Sequence, residues 1–293
     1  MIRNLILSLL ALPLIACAAD AHGQSGPTAS AHSTRTVDRV LTLDGFDAIR
    51  LSGCDEVIVR PGASFAASVR GTPRDLALLD AETRGTRLVI DPFFGDNPAC
   101  DVSVDDVAAD FILLTHGHFD HVADAIPLSE RTGATIIASY EIAAYMEEKG
   151  RPASPQHIGG GVEYPFGHVK MTPALHGGKL DLPGGEKFTT MAGGFLITLV
   201  GGQRFYHAGD TSLMTDMQLL KGLVDVAVLP IGDRFTMGPA DAVRAIDFIE
   251  PKVVIPCHYD TWPPIEQDAA AFAAAVGDRA QVQVMMPNAL FEF

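Results

Sequence analysis

The chain has 293 residues, of which 47% are hydrophobic and 19% charged, and its 21 basic and 36 acidic side chains give a net charge of −15. A chain of this length buries about 75% of its unfolded surface, so one large domain or two ordinary ones can form. The acidic balance disfavours a nucleic-acid partner, because phosphate backbones bind basic faces. Four cysteines are too few for a disulfide scaffold in so long a chain.

The N-terminus has the pattern of a bacterial lipoprotein signal. Residues 1–16 begin with a basic stretch and continue in an apolar run from Leu5 to Ile15, which is shorter than the roughly 20 residues that span a bilayer. Leu14-Ile15-Ala16-Cys17 resembles the lipobox, in which the cysteine is lipidated; a plain signal peptide is the alternative. We therefore expect an exported, periplasmic lipoprotein that is anchored to the membrane through Cys17, with residues 17–37 as a flexible tether.

The remaining cysteines carry less information. Export places them in an oxidising compartment, where Cys54 and Cys100 could pair, but the sequence does not fix the distance between them. Cys257 precedes a histidine, and we interpret it as a small buried residue on a strand.

Two segments of different character follow the tether. Residues 38–90 contain short apolar runs separated by turn residues, which predicts a β-rich segment with strands at 40–43, 48–51, 57–59, 65–69 and 87–90. From residue 91 onward, apolar runs at 111–115, 134–138, 195–200, 224–229 and 253–256 alternate with helical stretches at 139–150, 239–250 and 267–276. This alternation predicts an α/β domain over residues 91–293.

The densest chemical pattern is the segment Thr115-His116-Gly117-His118-Phe119-Asp120-His121. Imidazole and carboxylate ligands crowded at a strand end are typical of a zinc site. His116 and His118 can share one side of an extended loop, whereas Asp120 and His121 project elsewhere as a helix begins. This arrangement favours two adjacent metals over one; polar loop residues with incidental histidines are the alternative.

The pattern His116-x-His118-x-Asp120-His121 resembles the signature of the metallo-β-lactamase superfamily. Further similar motifs between residues 90 and 268 are Ile90-Asp91-Pro92-Phe93-Phe94, Ala174-Leu175-His176, Tyr206-His207-Ala208-Gly209-Asp210-Thr211, Leu229-Pro230-Ile231-Gly232-Asp233, Thr236-Met237-Gly238-Pro239 and Ile255-Pro256-Cys257-His258-Tyr259. Together they resemble a bacterial and archaeal family of metal-dependent hydrolases near the ascorbate-6-phosphate lactonase group. The resemblance implies the α/β fold of that superfamily, an αββα sandwich with the metals at one sheet edge.

The resemblance also implies the roles of individual residues. One metal is held by His116, His118 and His176, the second is held by Asp120, His121 and His258, and Asp210 bridges the two. The expected catalytic residues are Asp120, which can orient the attacking hydroxide and shuttle a proton, and His207, which is expected beside the pocket rather than as a ligand.

The ligand types narrow the chemistry. A carboxylate at position 210 favours a bridged dinuclear hydrolase, and histidine at position 118 argues against the oxygen-reducing diiron relatives, which need carboxylate ligands to hold iron. The expected cofactors are two divalent metal ions, with zinc preferred and manganese as the alternative. Two such cations lower the pKa of a bridging water and polarise the attacked carbonyl or phosphoryl oxygen.

The chain departs from the family pattern at its start. The usual opening strand with Gly-His-Ser and the hairpin after it are missing, and residues 45–90 instead resemble the β-repeat head of adhesin-like lipoproteins of the head-GIN type. We expect the atypical β-rich segment 38–90 to replace the first hairpin and to fold as one unit with residues 91–293, because about fifty residues of short strands make a marginal domain alone.

The sequence therefore predicts a metal-dependent hydrolase that cleaves a small ester, lactone or phosphorylated substrate. The alternative function is a surface-anchored binding or adhesin-like lipoprotein with a non-catalytic metal-binding hydrolase scaffold. The expected partners are a small-molecule substrate and the membrane, with no nucleic acid. The sequence names neither the substrate nor the oligomeric state.

Replacement of the lipobox cysteine tests the predicted anchor. We expect Cys17→Ser to move the protein from the membrane fraction to the soluble periplasmic fraction, because the lipid is attached through that thiol. Fractionation with immunodetection measures this, and Cys54→Ser serves as the matched control. A Cys17→Ser variant that stays in the membrane would indicate an uncleaved signal anchor, and a wild-type chain found in the cytoplasm would contradict export.

Overall fold

A computed structural model describes residues 37–42, 56–60, 66–71, 86–100, 102–181, 187–285 and 291. The chain divides into two compact units, Met1–Arg84 and Gly85–Phe293. The predicted signal peptide, Cys17, most of the tether, the strand expected at 48–51 and Cys54 lie outside the described residues. Within the described ranges, no helix has the length and apolar character needed to cross a membrane.

The first unit contains a three-stranded antiparallel sheet with the order β1-β3-β2. Its strands are β1 (Val37–Thr42), β2 (Glu56–Arg60) and β3 (Ala66–Gly71). They overlap three of the strands predicted for the β-rich segment. The replacement of the first hairpin by this segment, its resemblance to an adhesin head and the domain boundaries at 37 and 90 stay predictions.

The second unit begins with a four-stranded parallel sheet. In order, its strands are β4 (Leu88–Ile90), β5 (Phe111–Leu113), β6 (Thr135–Ser139) and β7 (Ala153–Gln156). The helices between β5 and β7 are α1 (Phe119–Val122), α2 (Ala125–Thr132) and α3 (Tyr140–Glu148). β4, which the sequence analysis places at the end of the β-rich segment, therefore pairs inside the second unit.

A seven-stranded mixed sheet forms the other half of this unit, with the order β16-β15-β14-β13-β12-β9-β8. The strands are β8 (Gly161–Tyr164), β9 (Gly167–Pro173), β12 (Gly193–Leu199), β13 (Arg204–His207), β14 (Val226–Pro230), β15 (Val253–Cys257) and β16 (Gln281–Val282). β13 to β16 run parallel, and β8, β9, β12 and β13 pair antiparallel. A separate two-stranded ribbon consists of β10 (Lys179–Asp181) and β11 (Lys187–Thr189).

Two further helices follow β14 and β15, namely α4 (Pro239–Ile249) and α5 (Ala269–Val276). α4 begins with proline at its first position and ends at Glu250, which adopts a left-handed conformation with φ of 53°. α5 is capped by Asp268, whose side chain accepts a hydrogen bond from the Ala271 N–H. The three predicted helices are confirmed, with ends shifted by one or two residues. Short 3-10 helices lie at Val104–Asp106, Thr215–Leu220, Pro263–Ile265 and Gly277–Arg279.

Three apolar clusters show how the layers stack. The inner cluster includes Leu113 and Ile137 of the four-stranded sheet with Met171 and Phe195 of the seven-stranded sheet, so the two sheets pack face to face. A second cluster joins the four-stranded sheet to α2 and α3, and a third joins the seven-stranded sheet to α4 and α5. The layer order is helix, sheet, sheet, helix. The predicted αββα sandwich of the α/β class is confirmed.

A substitution at the inner cluster tests how strongly the two sheets depend on each other. Phe195 is fully buried between them. We expect Phe195→Ala to lower the free energy of unfolding by about 3–5 kcal/mol, because the change removes a large apolar side chain and leaves a cavity. Urea unfolding of metal-free protein measures this. Val200→Ala, at a side chain that is 78% exposed, should change stability by less than about 0.5 kcal/mol, and similar losses for both variants would contradict the packing.

Candidate metal centre

The loop after β5 carries the densest set of candidate ligands. His118 is the N-cap residue of α1, so Asp120 and His121 lie in the first turn of that helix, while His116 lies in the loop before it. His116 and His121 are buried, and His118 and Asp120 are partly exposed. The sequence prediction that a helix begins inside this motif is therefore confirmed.

The other candidate ligands follow strands of the seven-stranded sheet. His176 comes after β9, Asp210 after β13 and His258 directly after β15. These three strands point the same way, since β9 and β13 are each antiparallel to β12 while β13, β14 and β15 are mutually parallel. Their carboxyl ends therefore meet at one edge of the sheet.

A close backbone approach fixes the position of His258. A side chain added at Gly232 would run into the carbonyl oxygen of His258, so only glycine fits there. His258 itself has a φ of 53° in the left-handed region. The motif around Gly232 thus has a structural role next to the last candidate ligand.

The first group of nitrogen atoms comes from three histidines. His116 Nε2 lies 2.9 Å from His118 Nδ1, and His176 Nε2 lies 3.3 Å from the same His118 atom. Their ligand atoms all lie within 4.8 Å of one another. Three imidazole nitrogens that converge in this way cannot all be satisfied by hydrogen bonds to one another, but they can share a cation.

The second group combines a carboxylate with two imidazoles. Asp120 Oδ2 lies 3.6 Å from His121 Nε2 and 3.6 Å from His258 Nε2. These three residues also form a set whose ligand atoms lie within 4.8 Å of one another. The two groups contain the same residues that the sequence resemblance assigns to two separate metals.

Asp210 lies between the two groups. Its Oδ2 atom is 4.0 Å from His116 Nε2 and 3.5 Å from His176 Nε2 in the first group. The same oxygen is 3.5 Å from His121 Nε2 and 3.1 Å from His258 Nε2 in the second group. One carboxylate oxygen within reach of both groups is the arrangement that a bridging ligand requires.

Several of these nitrogen atoms lack a hydrogen-bond partner. Among the described residues, the buried atoms without one include His121 Nε2 and both ring nitrogens of His258. His258 Nε2 is close to Asp210 Oδ2, but the direction of approach does not make a hydrogen bond. Unsatisfied buried polar atoms are costly, and a divalent cation at the centre of the cluster would satisfy His121 Nε2 and His258 Nε2, the two of these atoms that face it. The residues therefore fit a metal site.

The electrostatics of the cluster also favour bound positive charge. Burial alone would raise the pKa of Asp210, but His121 and His258 outweigh it and hold that pKa well below its usual range. Burial would lower the pKa of His258, but Asp120 and Asp210 raise it to about 9. Burial and then the charge of His121 lower the pKa of His116 to about 3, so this imidazole is neutral and can donate its lone pair to a metal.

Asp91 is a functional residue to which the sequence analysis gave no role. Its carboxylate accepts hydrogen bonds from the Thr115 N–H at 2.8 Å and from Thr115 Oγ1 at 2.6 Å. Its Oδ2 atom also lies 2.8 Å from His121 Nδ1. The Nδ1–H of His121 therefore donates to Asp91, which leaves His121 Nε2 free to face the cluster.

The hydrogen bond between Thr115 and Asp91 also determines the tautomer of His116. The Thr115 hydroxyl donates a hydrogen bond to Asp91, so Thr115 Oγ1 accepts one from His116 Nδ1, which is 3.0 Å away. His116 Nε2 then carries the lone pair that faces the cluster. A single aspartate that follows a strand has no distinctive spacing, and only the Ile90-Asp91-Pro92 motif could have drawn attention to it.

His207 is placed differently from the other candidates. It is the last residue of β13, and its Nδ1 accepts a hydrogen bond from the Gly209 N–H. Burial lowers the pKa of His207. Asp120 is one of the described residues that line the cavity over the cluster, and His207 is not. We therefore regard His207 as a residue that positions the loop before Asp210, and its predicted catalytic role stays a prediction.

The cysteines lie at two different places. Cys257 is the last residue of β15, so its predicted strand position is confirmed, but its side chain is only partly buried. Cys100 lies in the loop after β4 without a disulfide partner among the described residues, and its pairing with Cys54, which lies outside them, stays a prediction. Burial, followed by the charges of Asp210 and Asp91, raises the pKa of the Cys257 thiol, so it is not a reactive thiolate.

The sequence is similar to those of known metal-dependent hydrolases. Residues 86–259 match the family described as "Beta-lactamase superfamily domain". A UPF0173 metal-dependent hydrolase from Heliobacterium modesticaldum is 46% identical over 199 residues, which cover 65% of this chain and 82% of that protein. The chain therefore belongs to the beta-lactamase superfamily and, within it, to the UPF0173 family of metal-dependent hydrolases.

Solved structures show the same fold. Igni18, a novel metallo hydrolase from the hyperthermophilic archaeon Ignicoccus hospitalis, is 33% identical with a TM-score of 0.64, covering 72% of this chain and 93% of that one. An isothiocyanate hydrolase from Delia radicum gut bacteria is 18% identical with a TM-score of 0.51, covering 67% of this chain and 88% of that one. The latter similarity shows the fold alone. The chain is thus a metal-dependent hydrolase by family, whereas the resemblance to the ascorbate-6-phosphate lactonase group stays a prediction.

Replacement of Asp91 tests its positioning role. We expect Asp91→Asn to weaken zinc binding about 10- to 100-fold, because the amide does not fix the tautomers of His121 and His116 as the carboxylate does. Competition with a chromogenic chelator measures the affinity. Asp110→Asn, a change at an exposed carboxylate paired with Arg87, is the matched control. Equal zinc affinity in both variants would contradict the role of Asp91.

Proposed function

We propose that this protein is a dinuclear, zinc-dependent hydrolase, with manganese as the alternative metal. The observation that carries the proposal is the position of Asp210 Oδ2 within 4.0 Å of imidazole nitrogens from both groups. In this assignment His116, His118 and His176 would hold the first ion, Asp120, His121 and His258 would hold the second, and Asp210 would be shared between them. Five imidazoles with two carboxylates suit zinc, although manganese also accepts such ligands.

The bound ions supply Lewis acidity, which polarises the attacked oxygen of the substrate and lowers the pKa of a water. The chain supplies the proton transfer. Asp120 lines the cavity, and although burial raises its pKa, His258 and His121 outweigh this and lower it. Asp120 is therefore ionised at neutral pH and can orient the attacking water and accept its proton.

The proposed reaction moves one proton from water to the leaving oxygen by way of the Asp120 carboxylate. The water oxygen bonds to the carbonyl or phosphoryl centre, and one water proton passes to the Asp120 carboxylate. The bond to the leaving oxygen then breaks, and the proton passes from Asp120 to that oxygen. The proposed substrates are accordingly a small ester, a lactone or a phosphorylated compound.

We also propose that the protein is exported, periplasmic and anchored through a lipid on Cys17. The support is the sequence of residues 1–17, with its basic start, its apolar run and its lipobox-like end. In this proposal the lipid holds the protein at the membrane, and residues 17–37 act as a tether that lets the hydrolase domain reach small molecules in the periplasm.

Removal of the shared carboxylate tests the dinuclear proposal. We expect wild-type protein loaded with zinc to hold near two equivalents and Asp210→Ala to hold at most one, with nearly all hydrolysis lost, because the change removes a negative charge between two cations. Elemental analysis and a screen over lactones, phosphodiesters and thioesters measure the two effects.

A matched control completes this test. Asp216→Ala changes an exposed aspartate on a 3-10 helix outside the cluster and should retain both ions and full activity. Full metal occupancy with an unchanged rate in Asp210→Ala would refute the proposal. Wild-type protein that binds metal but hydrolyses no substrate in the screen would instead support the alternative of a surface-anchored binding lipoprotein with a non-catalytic scaffold.

A further inference from the structure

A cavity of about 480 Å³ opens over the metal centre. Five of its described lining residues are proposed ligands, namely His118, Asp120, His176, Asp210 and His258. The remaining lining residues are Phe119, Phe235, Trp262, Pro264, Lys179 and Asp181. These six define the part of the cavity that can recognise a substrate group beyond the reacting bond, and their chemistry indicates what that group is.

Three aromatic side chains, Phe119, Phe235 and Trp262, form what we call the aromatic wall. Phe119 is 59% exposed and Phe235 is 55% exposed. When a ligand covers large exposed apolar side chains at a concave site, the removal of their surface from water stabilises the complex. The aromatic wall is therefore suited to an apolar group.

Trp262 and Phe119 are held in place by packing against a third ring. The ring centroid of Phe93 lies 5.7 Å from that of Phe119 and 5.8 Å from that of Trp262, and the centroids of Phe119 and Trp262 are 6.1 Å apart. The three rings come from the loop after β4, the start of α1 and the loop after β15. Such mutual packing holds the rings in position before a ligand binds.

Beyond the proposed ligands, the charged residues of the described lining include an ion pair. Lys179 is the one cationic side chain among the described residues of the lining, and its Nζ lies 2.8 Å from Asp181 Oδ2. Arg234, which precedes Phe235 in the sequence, lies with its guanidinium carbon 5.7 Å from the Phe235 ring centroid. A phosphate dianion is usually bound by unpaired Arg or Lys side chains, and the lining beyond the metal ligands offers an ion pair instead.

We propose that the substrate is an uncharged carboxylic ester or lactone whose non-reacting group is apolar and packs against Phe119, Phe235 and Trp262. This inference rests on the proposed hydrolase function, since it names the substrate class of the same site. It narrows the three substrate types given above. A phosphate remote from the reacting bond would lie against the aromatic wall, and a phosphate at the reacting bond would meet Lys179, already paired with Asp181, as the cation of the described lining. The specificity-determining residues are then the three aromatic side chains.

The chain provides a reporter of binding that does not depend on turnover. It contains one tryptophan, and that residue is Trp262, which lines the cavity. Titration of the zinc-loaded, full-length protein with straight-chain carboxylates from acetate to octanoate should change its fluorescence. We expect the Kd to fall about fourfold with each added methylene until the cavity is filled, which is the value for burial of one CH₂ group.

A kinetic series tests the same preference on substrates. We expect kcat/KM to rise at least about tenfold from γ-butyrolactone to γ-nonalactone, because several added methylenes become buried. The two lactones share the same reacting group and differ only in the alkyl tail. Phenyl acetate should be hydrolysed in preference to phenyl phosphate.

Variants of the aromatic wall link both series to the structure. Phe235→Ala should reduce the dependence of Kd and of kcat/KM on tail length severalfold, whereas Tyr140→Ala should leave both dependences, the rate on γ-butyrolactone and the zinc content unchanged. Phe235 is mostly exposed, so the variant should fold. Tyr140→Ala is the matched control, because Tyr140 is an aromatic residue that is 57% exposed and does not line the cavity.

The outcomes separate this inference from the function on which it rests. A tail-length dependence in the fluorescence titration without hydrolysis of any lactone or ester would support the apolar site and refute the proposed hydrolysis. Hydrolysis of both lactones at equal rates, a preference for phenyl phosphate, or an unchanged tail dependence in Phe235→Ala would overturn the inference while the hydrolase function stands. Failure of all the carboxylates to change the fluorescence would also overturn it.

Discussion

The packing of the two sheets against each other is the constraint on which the candidate site depends. Four of the candidate ligands lie in the loop and helix after β5 of one sheet, and the other three follow strands of the second sheet. Within each group of three, ligand atoms from both sheets lie within 4.8 Å of one another, because the inner cluster around Leu113 and Phe195 holds the two sheets together. Closely packed protein interiors do not deform continuously. A substitution at Phe195 should therefore alter the geometry of the metal site as well as lower the stability of the fold.

The part of the site that was predictable from sequence is the part with a local pattern. The spacing of residues 116–121 gives four candidate ligands on one loop, and family motifs add His176, Asp210 and His258. The αββα layers could also be predicted, because strands and helices alternate and the resemblance names the fold. The edge strands β7 and β8 could not be predicted, because each is short and carries no apolar run.

The rest of the site depends on contacts between residues far apart in the sequence. Asp91 precedes His121 by 30 positions, and nothing in the sequence shows that its carboxylate also binds Thr115 and so sets the tautomer of His116. The aromatic contacts of Phe93 with Phe119 and Trp262 are equally non-local. Ligands that recur at a fixed spacing can be predicted from the sequence. Residues that act by orienting other side chains cannot, because their contacts are made only in the folded chain.

The position of Phe119 connects substrate recognition to metal binding. It lies between His118 and Asp120, so its ring faces the cavity from the same helical turn that presents Asp120 to the cluster. Recognition at this position cannot change freely, because a backbone shift there would move two candidate ligands. Phe235 and Trp262 instead lie on loops after β14 and β15, which can vary while the sheets stay fixed. An isothiocyanate hydrolase shares this fold at 18% identity, and a fold by itself does not determine a substrate. We therefore expect substrate differences among proteins of this fold to arise at positions equivalent to Phe235 and Trp262 more often than at Phe119.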